Sequence, residues 1–484
     1  MPQQHSIPFI HPPSTPLPNI PNVTFLPPKP TMSQNPCPLS NTLYPTRNLL
    51  CTRIYSVLNS KGATNGSSDC NRYDGSSVAI KKSVDVATLG NLCVDIVLNV
   101  PKLPPTSLIQ RKAYMDQLAK SPPDKKYWEA GGNCNMAIAA ARLGLRCVTI
   151  GHVGNEIYGK FIEDVLTDEG IDIVGVDDQH IVNRSLTAAD ETLICWVLVD
   201  PLHQHGFCSR GDFCKEPALS WMTNLSTKVK NSIKQSKILF CNGYGFDDLP
   251  PGVFVSAVEY AVEVGTSVFF DPGPRGTRTA LGTPEEQRAL CKLLQLSNVL
   301  LLTMEEAESL TGIKNPILAG QELLRKGIRT KCVIVKMGPR GSILITMSTI
   351  CCAPAFKVNV IDTVGCGDSF VAAIAFGFIH KVPLINTLTI ANAVGGATAM
   401  GCGAGRNVAS LEQVLDLMKG SNINEDDKFW KDILGEHLNG NNITMLSKSV
   451  VNGSSKLNCV PLQKVVSEML PKLETKAVEK VAQF

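Results

Sequence analysis

The sequence predicts an α/β fold built on a mainly parallel sheet. Three observations carry this. Short runs rich in Val, Ile and Leu alternate with helix-length stretches; the runs lack the in–out alternation of a half-solvated strand; and one strand pair interrupts the alternation. In chain order, strands are expected at Val84–Leu89, 147–150, 238–241, 266–270, 299–302 and Cys332–Lys336. Between them, helices are expected at 136–143, 158–169, 253–264, 285–295 and 317–326. The runs 193–200 and 206–210, joined by 201–205, read as an antiparallel hairpin, the kind of small strand pair that forms a lid over a site. Two more helices, 370–379 and 385–400, follow a glycine-rich turn.

Composition narrows the function. The chain has 484 residues, 44% of them hydrophobic and 18% charged, enough apolar content to bury a large core. Its 46 basic and 43 acidic residues leave a formal charge of +3, which gives no bulk attraction for nucleic acid or an anionic membrane. No apolar stretch approaches the ~20 residues of a membrane span. The 17 Cys are scattered, and Cys93, Cys147, Cys195, Cys241, Cys291 and Cys332 lie inside apolar runs as small hydrophobes. There is no CxxC pair, Cys351 and Cys352 read as a strand end, and a reducing compartment is expected.

Residues 1–82 differ from the rest. Asp69 is the first acid, and the segment is dense in Pro, Ser, Thr and Asn with sparse Lys29, Arg47, Arg53 and Lys61. That composition reads as a disordered organelle transit peptide, plastid ahead of mitochondrion, with an address-free tail and a cytosolic protein as the alternative. Residues 83–420 form the expected folded body. Residues 421–484 read as a partly helical appendage of unassigned role, with helical spacing at Val465, Met469, Leu473 and Val478.

The most informative stretch is 360–377, VIDTVGCGDSFVAAIAFG. A strand end leads into a Gly-x-Gly-Asp turn and then a long apolar helix. Such a turn gathers backbone N–H groups where the helix dipole is positive, a geometry suited to a phosphoryl group. Asp368 would sit in the first helical turn, where a carboxylate can take the proton of an attacking hydroxyl. By spacing alone a capped structural helix fits as well. The Gly-Lys-Ser/Thr ending of a Walker loop is absent.

DTVGCGDSF closely resembles the second signature of the PfkB family, the ribokinase-like carbohydrate and nucleoside kinases. Further matches follow in order. VATLGNLCVDIVLNVPKLP resembles the family's first strand, AGGNCNMAIAAARLG its first signature, and VGNEIYG its Val-Gly-Asp turn with Asn155 at the Asp position. DPGPR, LLTMEEAESLTG, KMGPRGSIL and ANAVGGATAMGCGAG resemble later segments. The resemblance covers about residues 84–418. It implies a ribokinase-like three-layer αβα sandwich with a small β lid, its strands near 96–110 and 185–212.

The resemblance also implies roles. Asp368 would be the catalytic base, with Gly365, Cys366 and Gly367 as the anion hole. Asp95, Gly131, Gly132 and Asn135 would bind the sugar, Asp95 from the carboxyl end of a sheet strand. Thr363, Gly338, Gly341 and Asn392 would contact ATP. Glu306 would act on magnesium through water, although Thr303 replaces the family's Asn three residues earlier. Potassium would be held by carbonyls of Asp362 and Val364, joined by Gly401 or Gly403. A thiol at Cys366, beside a helix N-terminus, suggests a lowered pKa and sensitivity to oxidants. His203 and His205 read as solvated turn residues, and Tyr127 and Trp128 as either substrate-stacking or loop-anchoring. The implied partners are a sugar or nucleoside and a second copy through the lid. The leading activity is ATP-dependent phosphorylation of a sugar hydroxymethyl group. The alternatives are a nucleoside kinase of the same family and a catalytically weak, kinase-like interaction protein in the plastid.

Overall fold

The apolar runs assemble into an 11-stranded sheet in the computed structural model, which describes residues 82–105, 107–121, 123–175, 191–202, 205–214, 216–435, 442–448 and 457–481. The leader up to residue 81, lid residues 185–190 and His203 lie outside the described residues. The strands in chain order are β1 (Val84–Leu89), β2 (Leu92–Asn99), β3 (Trp128–Gly132), β4 (Cys147–Gly151), β5 (Asp172–Gly175), β6 (Leu193–Val199), β7 (His205–Ser209) and β8 (Ser236–Asn242). They continue with β9 (Ser267–Asp271), β10 (Val299–Thr303), β11 (Cys332–Lys336), β12 (Ser342–Thr346), β13 (Thr349–Ala353), β14 (Asn442–Ser447) and β15 (Leu457–Pro461).

The sheet runs β15-β14-β13-β12-β11-β10-β9-β8-β1-β4-β5. It is parallel from β5 to β11, and the hairpin of β11, β12 and β13 is its antiparallel interruption. Both faces are covered, which is why its strands read as continuous apolar runs. Along β1, Val86 packs into one core while Ala87 and Leu89 pack into the other. Helices Asn133–Arg142, Cys366–Ile379 and Leu384–Thr398 cover the first face; Thr227–Gln235, Pro251–Glu263, Pro284–Leu296 and Pro316–Lys326 cover the second. This is the three-layer αβα sandwich.

A second sheet, β3-β2-β6-β7, forms the lid. The β6–β7 hairpin is antiparallel as expected. The rest of the lid is shifted from its expected place. β2 follows β1 after a turn at Gly90 and Asn91, while residues 108–119, partly assigned to a lid strand, are the helix Leu108–Ala119. β3 comes from the glycine-rich WEAGG, whose glycines conceal its strand character.

The C-terminal residues add to the main sheet: β14 pairs in parallel with β13, and β15 with β14. The closing helix Leu462–Val481 buries Leu462, Val465, Met469 and Leu473 in the core that also receives helix Leu384–Thr398. β14 and β15 escaped the sequence reading because they are short and interspersed with Asn, Thr and Ser.

Candidate active site

The site lies at the carboxyl ends of β8 to β11, where an open α/β sheet leaves its crevice, and the lid contributes the opposite wall. Gly365 opens the helix Cys366–Ile379 with φ 74°, a left-handed conformation that glycine adopts without cost. A Cβ there would stand 2.7 Å from the Cβ of Ala404. The Cys366 N–H turns back to the Thr363 carbonyl at 3.3 Å, a long bond. The N–H groups of Gly365, Gly367 and Asp368 donate to no backbone carbonyl among the described residues. Of the expected three-amide hole, Gly365 and Gly367 are thus open and Cys366 is weakly engaged, while Asp368 adds an open amide beside them.

Asp368 stands in the first turn, half-buried, and Asn135 donates to its Oδ2 at 3.3 Å. Burial and the nearby charge of Asp271 push its pKa up to about 6, against the pull of Lys336 and Asn135. That places a carboxylate able to accept a proton near neutral pH at the mouth of the amide cluster.

Asn135 has both ends of its amide engaged, since its Oδ1 accepts the Gly405 N–H at 2.8 Å. It orients Asp368 and so borders the carboxylate from the side on which a polyol was expected. Asp95 is buried in the middle of lid strand β2, not at the end of a main-sheet strand. Its carboxylate lies directly on Gly131, where a Cβ would fall 2.2 Å from it. Gly132, at φ 60°, is pressed in the same way against the Asn91 backbone. These two glycines admit protein groups. Burial, opposed by a hydrogen bond from Cys93 and reinforced by Asp368 and Glu129, raises the Asp95 pKa to about 7.

Asn392, expected at the nucleotide, is also fully occupied. It accepts from the Ser342 hydroxyl at 2.8 Å and donates to the carbonyls of Ala353 and Pro354. It ties helix Leu384–Thr398 to the β12–β13 hairpin. Gly338 and Gly341 form the tight β11–β12 turn, and the face of Gly338 is open. Thr363 is exposed, and Val364 is buried against Val197 of the lid and Ala404.

The Thr303 substitution has a local cause. Thr303 caps the helix Met304–Thr311: its hydroxyl accepts from the Glu306 N–H at 3.2 Å, and Glu306 Oε2 accepts from the Thr303 N–H at 2.8 Å. The second Glu306 oxygen accepts no hydrogen bond among the described residues. Burial and Asp271 raise the Glu306 pKa. Cys366 runs against its expectation: burial and the charges of Asp362 and Asp368 push its thiol up to about 12, so the helix N-terminus does not activate it.

Other groups at the site escaped the sequence reading. Lys336 ends β11 and places its ammonium 2.5 Å from Asp271 Oδ2. His205, expected in a solvated turn, is the first residue of β7 and lies 2.5 Å from Asp362 Oδ1. Asp362 also accepts the N–H groups of Val364 and Gly403. Arg406 grips Glu129 of β3 through Nε and a terminal nitrogen. These bonds fasten the lid to the turns around 362–365 and 401–406. The one visible signal was the lone cation closing the apolar CVIVK run. Trp128 anchors the lid by packing on Tyr158 and Phe161, and its indole donates to the Pro123 carbonyl.

Comparison with known proteins identifies the architecture. The family model described as pfkB family carbohydrate kinase matches residues 85–409. Fructokinase-1 of Oryza sativa is 25% identical over 347 residues, covering 69% of this chain and 97% of the relative. Among solved structures, Arabidopsis thaliana ribokinase complexed with ribose and ATP superposes with a TM-score of 0.54 at 20% identity, covering 69% of this chain and 98% of its own. A protein described as an E. coli ribokinase II, in complex with ATP and Mg2+, gives a TM-score of 0.55 at 21% identity, covering 70% and 99%. The fold is ribokinase-like. The matched residues carry both the lid and the glycine-rich turn at Asp368, and the chain belongs to the pfkB family of carbohydrate kinases.

Proposed function

We propose that the protein phosphorylates a hydroxymethyl group of a sugar at the expense of ATP, with Asp368 as the base. One observation carries this reading: a half-buried carboxylate with a pKa near neutrality stands in the same helical turn as amides that no backbone carbonyl engages. The substrate hydroxyl oxygen forms a bond to the γ-phosphorus while its proton passes to Asp368. The bridging P–O bond breaks, and its electron pair leaves with ADP. The amides of Gly365, Gly367 and Asp368 face the charge on the transferred group. Asp95 holds a sugar hydroxyl from the lid side, and the lid excludes water that would otherwise accept the phosphoryl group.

The open carboxylate oxygen of Glu306 suits a hard cation, directly or through water, so Glu306 is the residue to hold Mg2+. Mg2+ there supplies positive charge to the phosphates. Potassium would bind beside the turn at 362–364, which the Gly403 N–H bond to the Asp362 carboxylate ties to the loop around 403. Gly338 and Gly341 border the nucleotide. The acid-poor leader supports import into a plastid.

The test is ATP consumption by the purified protein with ribose, fructose, inosine and pseudouridine as acceptors. Turnover on a free sugar supports the proposal. Turnover on a nucleoside alone moves the assignment to the nucleoside kinases, and no turnover with no ATP binding overturns it.

A further inference from the structure

Lys336 opens the KMGPRGSIL segment and has a place in the site to which the sequence reading gave no role. It ends β11, two residues before the Gly338 turn, and its side chain is 15% exposed. The ammonium has three N–H bonds, of which one points to Asp271 Oδ2 at 2.5 Å. A Cβ built on Gly367 would stand 3.6 Å from the same nitrogen, so the ammonium adjoins the amide cluster. Burial disfavours its charge, but Asp271 and Glu306 outweigh burial and raise its pKa, so it stays protonated. The charge of Asp271 raises the Asp368 pKa, and the Lys336 charge moderates it.

A phosphate tail entering here brings several negative charges toward Asp271, Glu306 and Asp368. Three carboxylates repel such a ligand unless a fixed cation stands among them. Lys336 is that cation. Strand β11 fixes its backbone, Asp271 fixes its head, and among the described residues its other two protons have no acceptor.

We propose that Lys336 contacts the γ-phosphoryl oxygens and stabilises their charge as the bridging bond breaks, with Asp271 as the residue that positions it. The inference rests on the kinase reading above. Lys336 keeps its protons throughout: the hydroxyl proton still passes to Asp368, and the electron pair of the broken P–O bond still leaves with ADP. A lysine serves here as a point charge, which suits a group whose oxygens move during transfer.

The test compares wild type with Lys336→Met, Lys336→Arg and the double variant Lys336→Met, Asp271→Asn. The double variant removes both buried charges, so it guards against misfolding from an unpaired Asp271. Calorimetric binding of ADP and of AMP-PNP, without acceptor, reports on the γ-phosphoryl group apart from turnover. In both methionine variants AMP-PNP binding should weaken about tenfold or more while ADP binding stays within about twofold. In Lys336→Met kcat should fall about 10²–10³-fold with a smaller change in KM for ATP, and Lys336→Arg should recover part of both losses. Equal weakening of ADP and AMP-PNP, or an unchanged kcat in a folded variant, overturns the proposal. Wild-type protein that binds neither nucleotide overturns the kinase reading itself, and this inference with it.

Discussion

Two of the raised carboxyl groups, Asp368 and Asp95, make opposite demands on pH. As the proposed base, Asp368 would have to be ionised to accept a proton, and its pKa is about 6. Activity should therefore fall tenfold per unit as pH drops below about 6 and level off above it, as a kcat–pH profile would show. Asp368→Asn should lower kcat by about 10²–10⁴-fold, and a variant retaining most of its rate would remove Asp368 from the chemistry. Asp95 bears on stability. Its folded pKa of about 7 lies above the ordinary carboxylate value, because burial penalises the charge. Its contribution is thus fully present below the unfolded pKa of about 4 and is lost as pH rises toward 7. Asp95→Asn should raise the melting temperature more at pH 8 than at pH 5 while weakening sugar binding. Equal shifts at both pH values would mean that the carboxyl titrates normally.

Among the elements, the helix Met304–Thr311 shows how a departure from a signature can be locally sound. Thr303 provides the side-chain oxygen that an N-cap needs, and Glu306 returns the bond. Thr303→Ala should cost about 0.5–2 kcal/mol of stability in denaturant unfolding, whereas Thr303→Asn should be nearly neutral. A loss of similar size in both variants would argue that the cap is not what Thr303 contributes. The lid follows the same logic of local need. β3 is half of a glycine motif because Gly131 must lie flat against Asp95.

The whole molecule extends past the part shared with its relatives. The family match ends at residue 409, yet β14, β15 and the closing helix continue the same sheet and core. Ending the chain after Gly420 would bare the β13 edge and the apolar surface that now receives Leu446, Leu462, Val465 and Met469. The shortened protein should lose soluble yield and unfold at lower urea concentration, and an unchanged midpoint would return residues 421–484 to the status of an appendage.

The sequence by itself determined the layered α/β body, because long Val/Ile/Leu runs and helical periodicity are local and repeated. It also determined the Gly-x-Gly-Asp turn, because only a few residue types fit that backbone. Tertiary structure alone decided which polar groups are left open for ligands. Asn135 and Asn392 match their motifs, yet both are engaged by backbone and side-chain groups remote in the chain, and the Cys366 thiol is raised by its own burial and then by the charges of Asp362 and Asp368. Lys336 and His205 acquired their places from carboxylates 65 and 157 residues away. Hydrogen-bond partnership and desolvation depend on what the fold brings together, and sequence spacing does not record either.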